Sequence, residues 1–256
     1  MRACLLGLVV LVGCVGSHPR DPEWRHRKAE ATEASSLPIP VRPQWEIVGR
    51  SVEGRSLRLL RLGHGPRRVL WVGGIHGDER EGHHGTAQLP TAFLELPGAA
   101  DAVTLLILED ANPDGSAANT RSNRNGVDLN RNYPARNYLP GDGRGQQALD
   151  QPESKALHDL IVRERLDLVF VAHAWRKDHF INFDGPARKH AELFSARSGF
   201  RVKASDTFAP TPGSLGSWVG HTRRQAILTL EYERGTDPVA NWEKTRDAIL
   251  AVITTG

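Results

Sequence analysis

Four short apolar runs limit what this chain can fold into: Val69-Leu70-Trp71-Val72, Thr104-Leu105-Leu106-Ile107-Leu108, Leu168-Val169-Phe170-Val171-Ala172 and Ala226-Ile227-Leu228-Thr229-Leu230. Helical patterns alternate with them, which suggests an open α/β sheet with ligands bound in the crevice at the carboxyl ends of its strands. The expected strands are 45–49, 56–62, 68–73, 103–109, 167–172, 200–203 and 226–231, and the expected helices include 152–165, 187–198 and 238–253. Pro152 with Glu153, and Asp237 with Pro238, are helix-start chemistry, and Gly199 is a stop. At 256 residues and 39% hydrophobic content, one large domain with a buried core suffices.

Each run ends in polar residues that a core strand has no reason to carry. The first leads to His76 and Glu79, the second to Asn112-Pro113-Asp114-Gly115, the third to His173 and the fourth to Glu231. In an open sheet, His76, Glu79, Asn112, His173 and Glu231 could meet in one place. A histidine and a carboxylate three apart suit Zn²⁺, which typically takes three protein ligands in catalytic sites, so the chain should supply one more. Singly, the same residues also fit a solvated loop, a satisfied core histidine and a solvated strand end. The stretch from Arg121 to Pro134, with Asn130 and Arg131, can grip a carboxylate through a guanidinium fork and an amide donor. Its basic, Asn-rich character does not make it a nucleic-acid site, because interleaved stacking aromatics are missing and the whole chain carries only +3.

Taken in order, His76-Gly77-Asp78-Glu79, Asn112-Pro113-Asp114-Gly115, Gly126-Val127-Asp128-Leu129-Asn130-Arg131-Asn132-Tyr133-Pro134, His173 and Leu228-Thr229-Leu230-Glu231 resemble the signature of the zinc metallocarboxypeptidases, the carboxypeptidase A-like or M14 peptidases. The resemblance runs from about residue 45 to 256 and implies a single-domain α/β fold, a mixed open β-sheet flanked by helices. It implies one zinc ion per chain on His76, Glu79 and His173, with Glu231 as the base that takes the proton from water and passes it to the leaving amine. It implies Arg121 at the oxyanion, Asn130 and Arg131 on the substrate's terminal carboxylate, and Leu215 and Gly216 at the bottom of the side-chain pocket, where neither an Asp nor a Glu marks a preference for basic side chains. Asp78 reads as a loop residue behind the ligands, Glu81, His83 and His84 as the first turn of a helix, and the glycine-rich stretch 134–150 as a rim of the site.

One departure stands out. Family peptidases commonly carry a tyrosine on a mobile loop about twenty residues before the glutamate; here Ser205 to Pro212 has none, and Phe208 is the nearest aromatic. A phenyl ring can cover a substrate but cannot donate a hydrogen bond. The stretches Asn182-Phe183-Asp184-Gly185-Pro186-Ala187 and Thr211 to Trp218 resemble the bacterial murein peptide amidases, implying a peptide substrate cut at a γ-D-glutamyl–diaminopimelate bond. Alternatives are an ordinary metallocarboxypeptidase, a zinc deacylase of N-acylated amino acids similar to the aspartoacylases, and a wall-peptide-binding protein without activity.

The N-terminus reads separately. Residues 1–13 look like a signal peptide, too short in its apolar run to span a bilayer as a mature helix. Leu11-Val12-Gly13-Cys14 resembles a lipobox, which implies a lipid on Cys14, an anchor in a membrane and a place in the bacterial cell envelope. Cleavage would remove Cys4, so no disulfide framework is expected. Residues 14–43, rich in proline and charge, read as a tether, and 44–256 as the catalytic domain.

Overall fold

The computed structural model describes residues 43–205 and 211–256. The signal peptide, Cys14, the tether and Phe208 therefore lie outside the described residues. Among the described residues, eight strands form one mixed sheet: β1 (Gln44–Arg50), β2 (Ser56–Leu62), β3 (Arg67–Val72), β4 (Val103–Leu108), β5 (Leu168–Trp175), β6 (Phe180–Asp184), β7 (Arg201–Ala204) and β8 (Ile227–Glu233), in the order β1-β2-β4-β3-β5-β8-β6-β7. The four central strands, β4, β3, β5 and β8, run parallel; β2 and β6 pair antiparallel with β4 and β8 at either side. These are the four runs the sequence analysis starts from.

Both faces of the central strands are covered, which is why their sequences are continuously apolar. On one face Val69, Trp71, Phe170 and Leu228 pack with α1 (His83–Glu95), α4 (Arg188–Ser198) and α5 (Pro238–Thr254). On the other, Leu70, Val72, Val169 and Ile227 pack with α3 (Pro152–Glu164) and with Leu215, Trp218 and Val219 around the turn Ser217–Thr222. A short helix, α2 (Pro113–Ala118), follows β4. The helix starts expected at 152 and 238 are seen, and Asp237 caps α5 by accepting from the Val239 amide at 3.0 Å.

Three expectations need revision. β6 was not foreseen, because its five residues include Asn182 and Asp184, both buried, which break the apolar pattern. β5 and β8 run past the expected ends at 172 and 231, so His173 lies inside its strand instead of after it and Glu231 is not the last residue of its own; the two are directly paired in the parallel ladder. Glu81 is not in a helical turn: α1 begins at His83, and Glu81 lies buried before it with one oxygen accepting from the Gly235 amide at 2.7 Å.

Candidate active site

The loop after β3 carries His76 and Glu79 to the carboxyl end of the sheet. It is locked against α2, since a Cβ on Gly77 would lie 2.0 Å from the Gly115 carbonyl carbon. Two motifs distant in sequence are thus in backbone contact. Asn112 completes that junction: its oxygen caps α2 through the Gly115 amide at 3.0 Å, and its amide donates to the Arg121 carbonyl at 3.2 Å. Fully buried, it lines no part of the cavity, so its placement beside the ligands is corrected; it holds the loop bearing Arg121.

His76, Glu79 and His173 converge, each offering one ligand-type atom with all three within 4.8 Å of one another, and all three are buried. Glu79 Oε1 lies 2.9 Å from His76 Nδ1 and its Oε2 lies 2.9 Å from His173 Nδ1. The His76 Nε2 meets Asp128 at 2.9 Å, a carboxylate behind a ligand-type imidazole that fixes ring orientation. Two imidazole nitrogens and a carboxylate oxygen converging in a buried pocket are the donor set of a catalytic zinc centre, so the residues fit that ion.

The charges here are strongly coupled. Burial opposes the protonated form of His76, but Glu79 and Asp128 outweigh it and raise its pKa to about 9. Burial likewise opposes the charged forms of Glu79 and Asp128, yet the histidines hold the first, and His76 with Arg121 the second, far below the usual carboxylate range. His173 is lowered by burial, with Glu79 opposing. Glu231 is pushed up to about 8, first by burial and then by Glu79, and its buried Oε2 has no partner among the described residues.

These residues line one cavity of about 250 Å³ together with Arg121, Asn130, Arg131, Leu215 and Gly216. Arg121 bridges Glu79 and Asp128, each at 3.0 Å, and is the most exposed of the group. Asn130 accepts from the Leu215 amide at 2.9 Å, while Arg131 donates to the Asn130 carbonyl at 2.7 Å. Two participants went unassigned in the sequence: Asp128, whose signal was its place in the motif Asp128-Leu129-Asn130-Arg131, and Asp184, which lines the cavity from β6. The stretch 134–150 does not rim the cavity. It braces the turn that presents Asn130 and Arg131, with Asn132 donating to Asp150 at 2.8 Å and to the Arg144 carbonyl at 2.8 Å. Asp78 accepts from Arg234 at 2.9 Å.

The arrangement supplies a His-Glu-His cluster of ligand-type residues, a buried carboxyl beside it and two guanidinium groups in one pocket. Comparison with known proteins agrees. The family model for zinc carboxypeptidases matches residues 38–191. The murein peptide amidase A of Escherichia coli K12 is 30% identical over 229 residues, covering 82% of this chain and 88% of that protein. The crystal structure of the murein-tripeptide amidase from Escherichia coli O157 superposes with a TM-score of 0.71 at 25% identity, covering 84% of this chain and 94% of that one. The carboxypeptidase A of Helicoverpa armigera shares the fold, with a TM-score of 0.71 at 19% identity over 90% of this chain and 72% of that one. A match along more than half its length, on the sheet that carries the buried ligand cluster, shows that the chain belongs to the zinc carboxypeptidase family, the M14 metallopeptidases.

Proposed function

We propose that this protein is a zinc-dependent amidase that cleaves the amide before a free C-terminal carboxylate, and that its substrate is the γ-D-glutamyl–diaminopimelate bond of murein peptides. The observation that carries the reading is Glu231: a buried carboxyl with one oxygen that has no partner among the described residues, in the same cavity as His76, Glu79, His173 and Arg131. The murein substrate is supported by the two amidase relatives. Zinc held by His76, Glu79 and His173 would supply Lewis acidity, bringing the pKa of water near ~7 and polarising the scissile carbonyl. Glu231 takes the proton from the attacking water and returns it to the leaving amine. Arg121 stabilises the oxyanion, and Asn130 and Arg131 receive the terminal carboxylate, so Arg131 gives up its bond to the Asn130 carbonyl on binding.

The test is a double cycle with γ-D-glutamyl-diaminopimelate. Amidating the carboxylate next to the scissile bond, or substituting Arg131→Ala, should lower kcat/KM by similar factors, and the two together should cost little more than either alone. Full additivity refutes the assignment of Arg131, and equal activity on ordinary C-terminal dipeptides refutes the murein substrate. The same reading puts the enzyme at the bacterial cell envelope, tethered through a lipid on Cys14, on the strength of the lipobox-like sequence.

A further inference from the structure

The end of the sheet away from His76, Glu79 and Glu231 carries charge that the proposed chemistry does not use. β5 and β8 begin there, at Leu168 and Ile227, and β6 ends there, with Asp184 paired to Ile227. The segments flanking these strand ends are joined. Gln225 donates its side-chain amide to the Leu166 carbonyl at 2.6 Å, and Gly185 lies so close to the Gln225 carbonyl that a Cβ would not fit. Together they carry Arg165, Arg188, Lys189, Arg223 and Arg224, all exposed. Arg136 joins them, its backbone amide donating to the Thr222 hydroxyl at 3.0 Å.

The described acids leave most of this charge unneutralised. Glu164 is engaged by Arg61, Arg68 and Arg163, and Asp184 by His221 at 2.7 Å. Asp167 is exposed among the cations, and Arg188 reaches Glu192 only at 4.0 Å. Among the described residues, no carboxylate forms an ion pair with Arg165, Lys189, Arg223 or Arg224.

Two of these arginines are held against backbone preference. Arg165 closes α3 at φ 49° and Arg224 precedes β8 at φ 57°, in the left-handed region that favours glycine. The chain uses glycine for that role elsewhere, as at Gly199, which closes α4 at φ 75°. Glycine would serve the fold at both positions, so the two side chains answer to something other than folding.

β1 pairs antiparallel with β2, and β2 with β4, so β1 runs in the direction of the central strands and Gln44 enters the sheet at this same end. The chain before Gln44 thus joins the domain where the cations lie. A single acyl chain holds a protein only marginally at a membrane, and a basic patch is a second signal that makes the hold stable. We infer that this end of the sheet rests on an anionic phospholipid surface, with His76, Glu79 and Glu231 at the opposite strand ends turned away from it. The surface is independent of the amidase reading, and its test measures no cleavage.

The experiment measures partition of the full chain, carrying Cys14→Ser so that no acyl chain contributes, onto phosphatidylcholine vesicles with and without phosphatidylglycerol. Binding to the anionic vesicles should exceed binding to the neutral ones and fall away at high salt; any hold through the apolar N-terminal run is common to both. Arg165→Gly combined with Arg224→Gly should weaken anionic binding by ~10-fold or more without lowering the melting temperature. Removing equal charge elsewhere, as Lys155→Gln with Arg246→Gln, should leave binding within about twofold. Equal partition onto both vesicle types overturns the proposal, as does an equal loss in the two double variants, which would reduce the effect to net charge. A lower melting temperature in the glycine variant would assign the arginines to the fold and overturn it too. Retention on heparin without vesicle binding overturns it in favour of a soluble polyanion.

Discussion

Replacing Glu231 with glutamine should inactivate the enzyme and, in the metal-free protein, stabilise it. The carboxyl is pushed from 4.5 to about 8, first by burial and then by Glu79. Between those values the unfolded chain has released its proton while the folded chain still holds it, so the stability of the wild type falls as pH rises through that window. At about 1.4 kcal/mol per decade the full effect is about 5 kcal/mol, of which about 4 develops between pH 4.5 and pH 8. Glutamine has no such proton to lose. Urea unfolding of chelator-treated protein at both pH values should therefore show the Glu231→Gln variant gaining about 4 kcal/mol on the wild type as pH rises. Loaded with zinc, the same variant should retain the ion and lose ~10²–10⁴ in turnover, the contribution of a positioned general base. Identical pH slopes for the two proteins would refute the argument that burial holds a proton on this carboxyl, and an active variant would refute its role as base.

Zinc binding should weaken below about pH 9, because ligation needs a neutral His76 imidazole and the metal-free protein keeps it protonated up to that pH. Competition with a chromophoric chelator should show apparent affinity dropping about tenfold per pH unit from this residue, and a flat profile would count against His76 as a ligand. His173→Ala should abolish tight binding, read as metal content after dialysis. Arg121→Ala should lower kcat by ~10²–10³ with little change in KM if it meets charge that develops only in the transition state. Cys14→Ser should leave an unprocessed or soluble form, and intact Met1 on soluble native protein, read by mass spectrometry, would end the lipid-anchor reading.

The central sheet was legible because parallel strands buried on both faces must be apolar along their length, and that constraint leaves a local mark at β3, β4, β5 and β8. The convergence of His76, Glu79, His173 and Glu231 was legible for the complementary reason: polar residues directly following such runs are costly unless they serve a site. β6 was hidden by the same logic inverted, since Asn182 and Asp184 face a cavity and their polarity masks the strand. Asn112 was misplaced because a buried amide that caps a helix and ties a loop looks, in sequence, like one that touches a ligand. Asp184 reaches the pocket through a pairing of β6 with β8 across some fifty residues, for which no local pattern exists.

The pairing of His173 with Glu231 as neighbours in the β5–β8 ladder has a mechanical corollary. Their separation is a lattice constant of the sheet, so neither insertion nor drift in the surrounding loops can detune it, and a register slip would throw one of them to the opposite face. Asp184 lies on β6, which is laddered antiparallel to that same β8, and Gly216 on the segment beside it, so this wall of the cavity is referred to the same lattice. A shift of β8 in register would therefore displace Glu231 from His173 and carry the wall built on β6 with it.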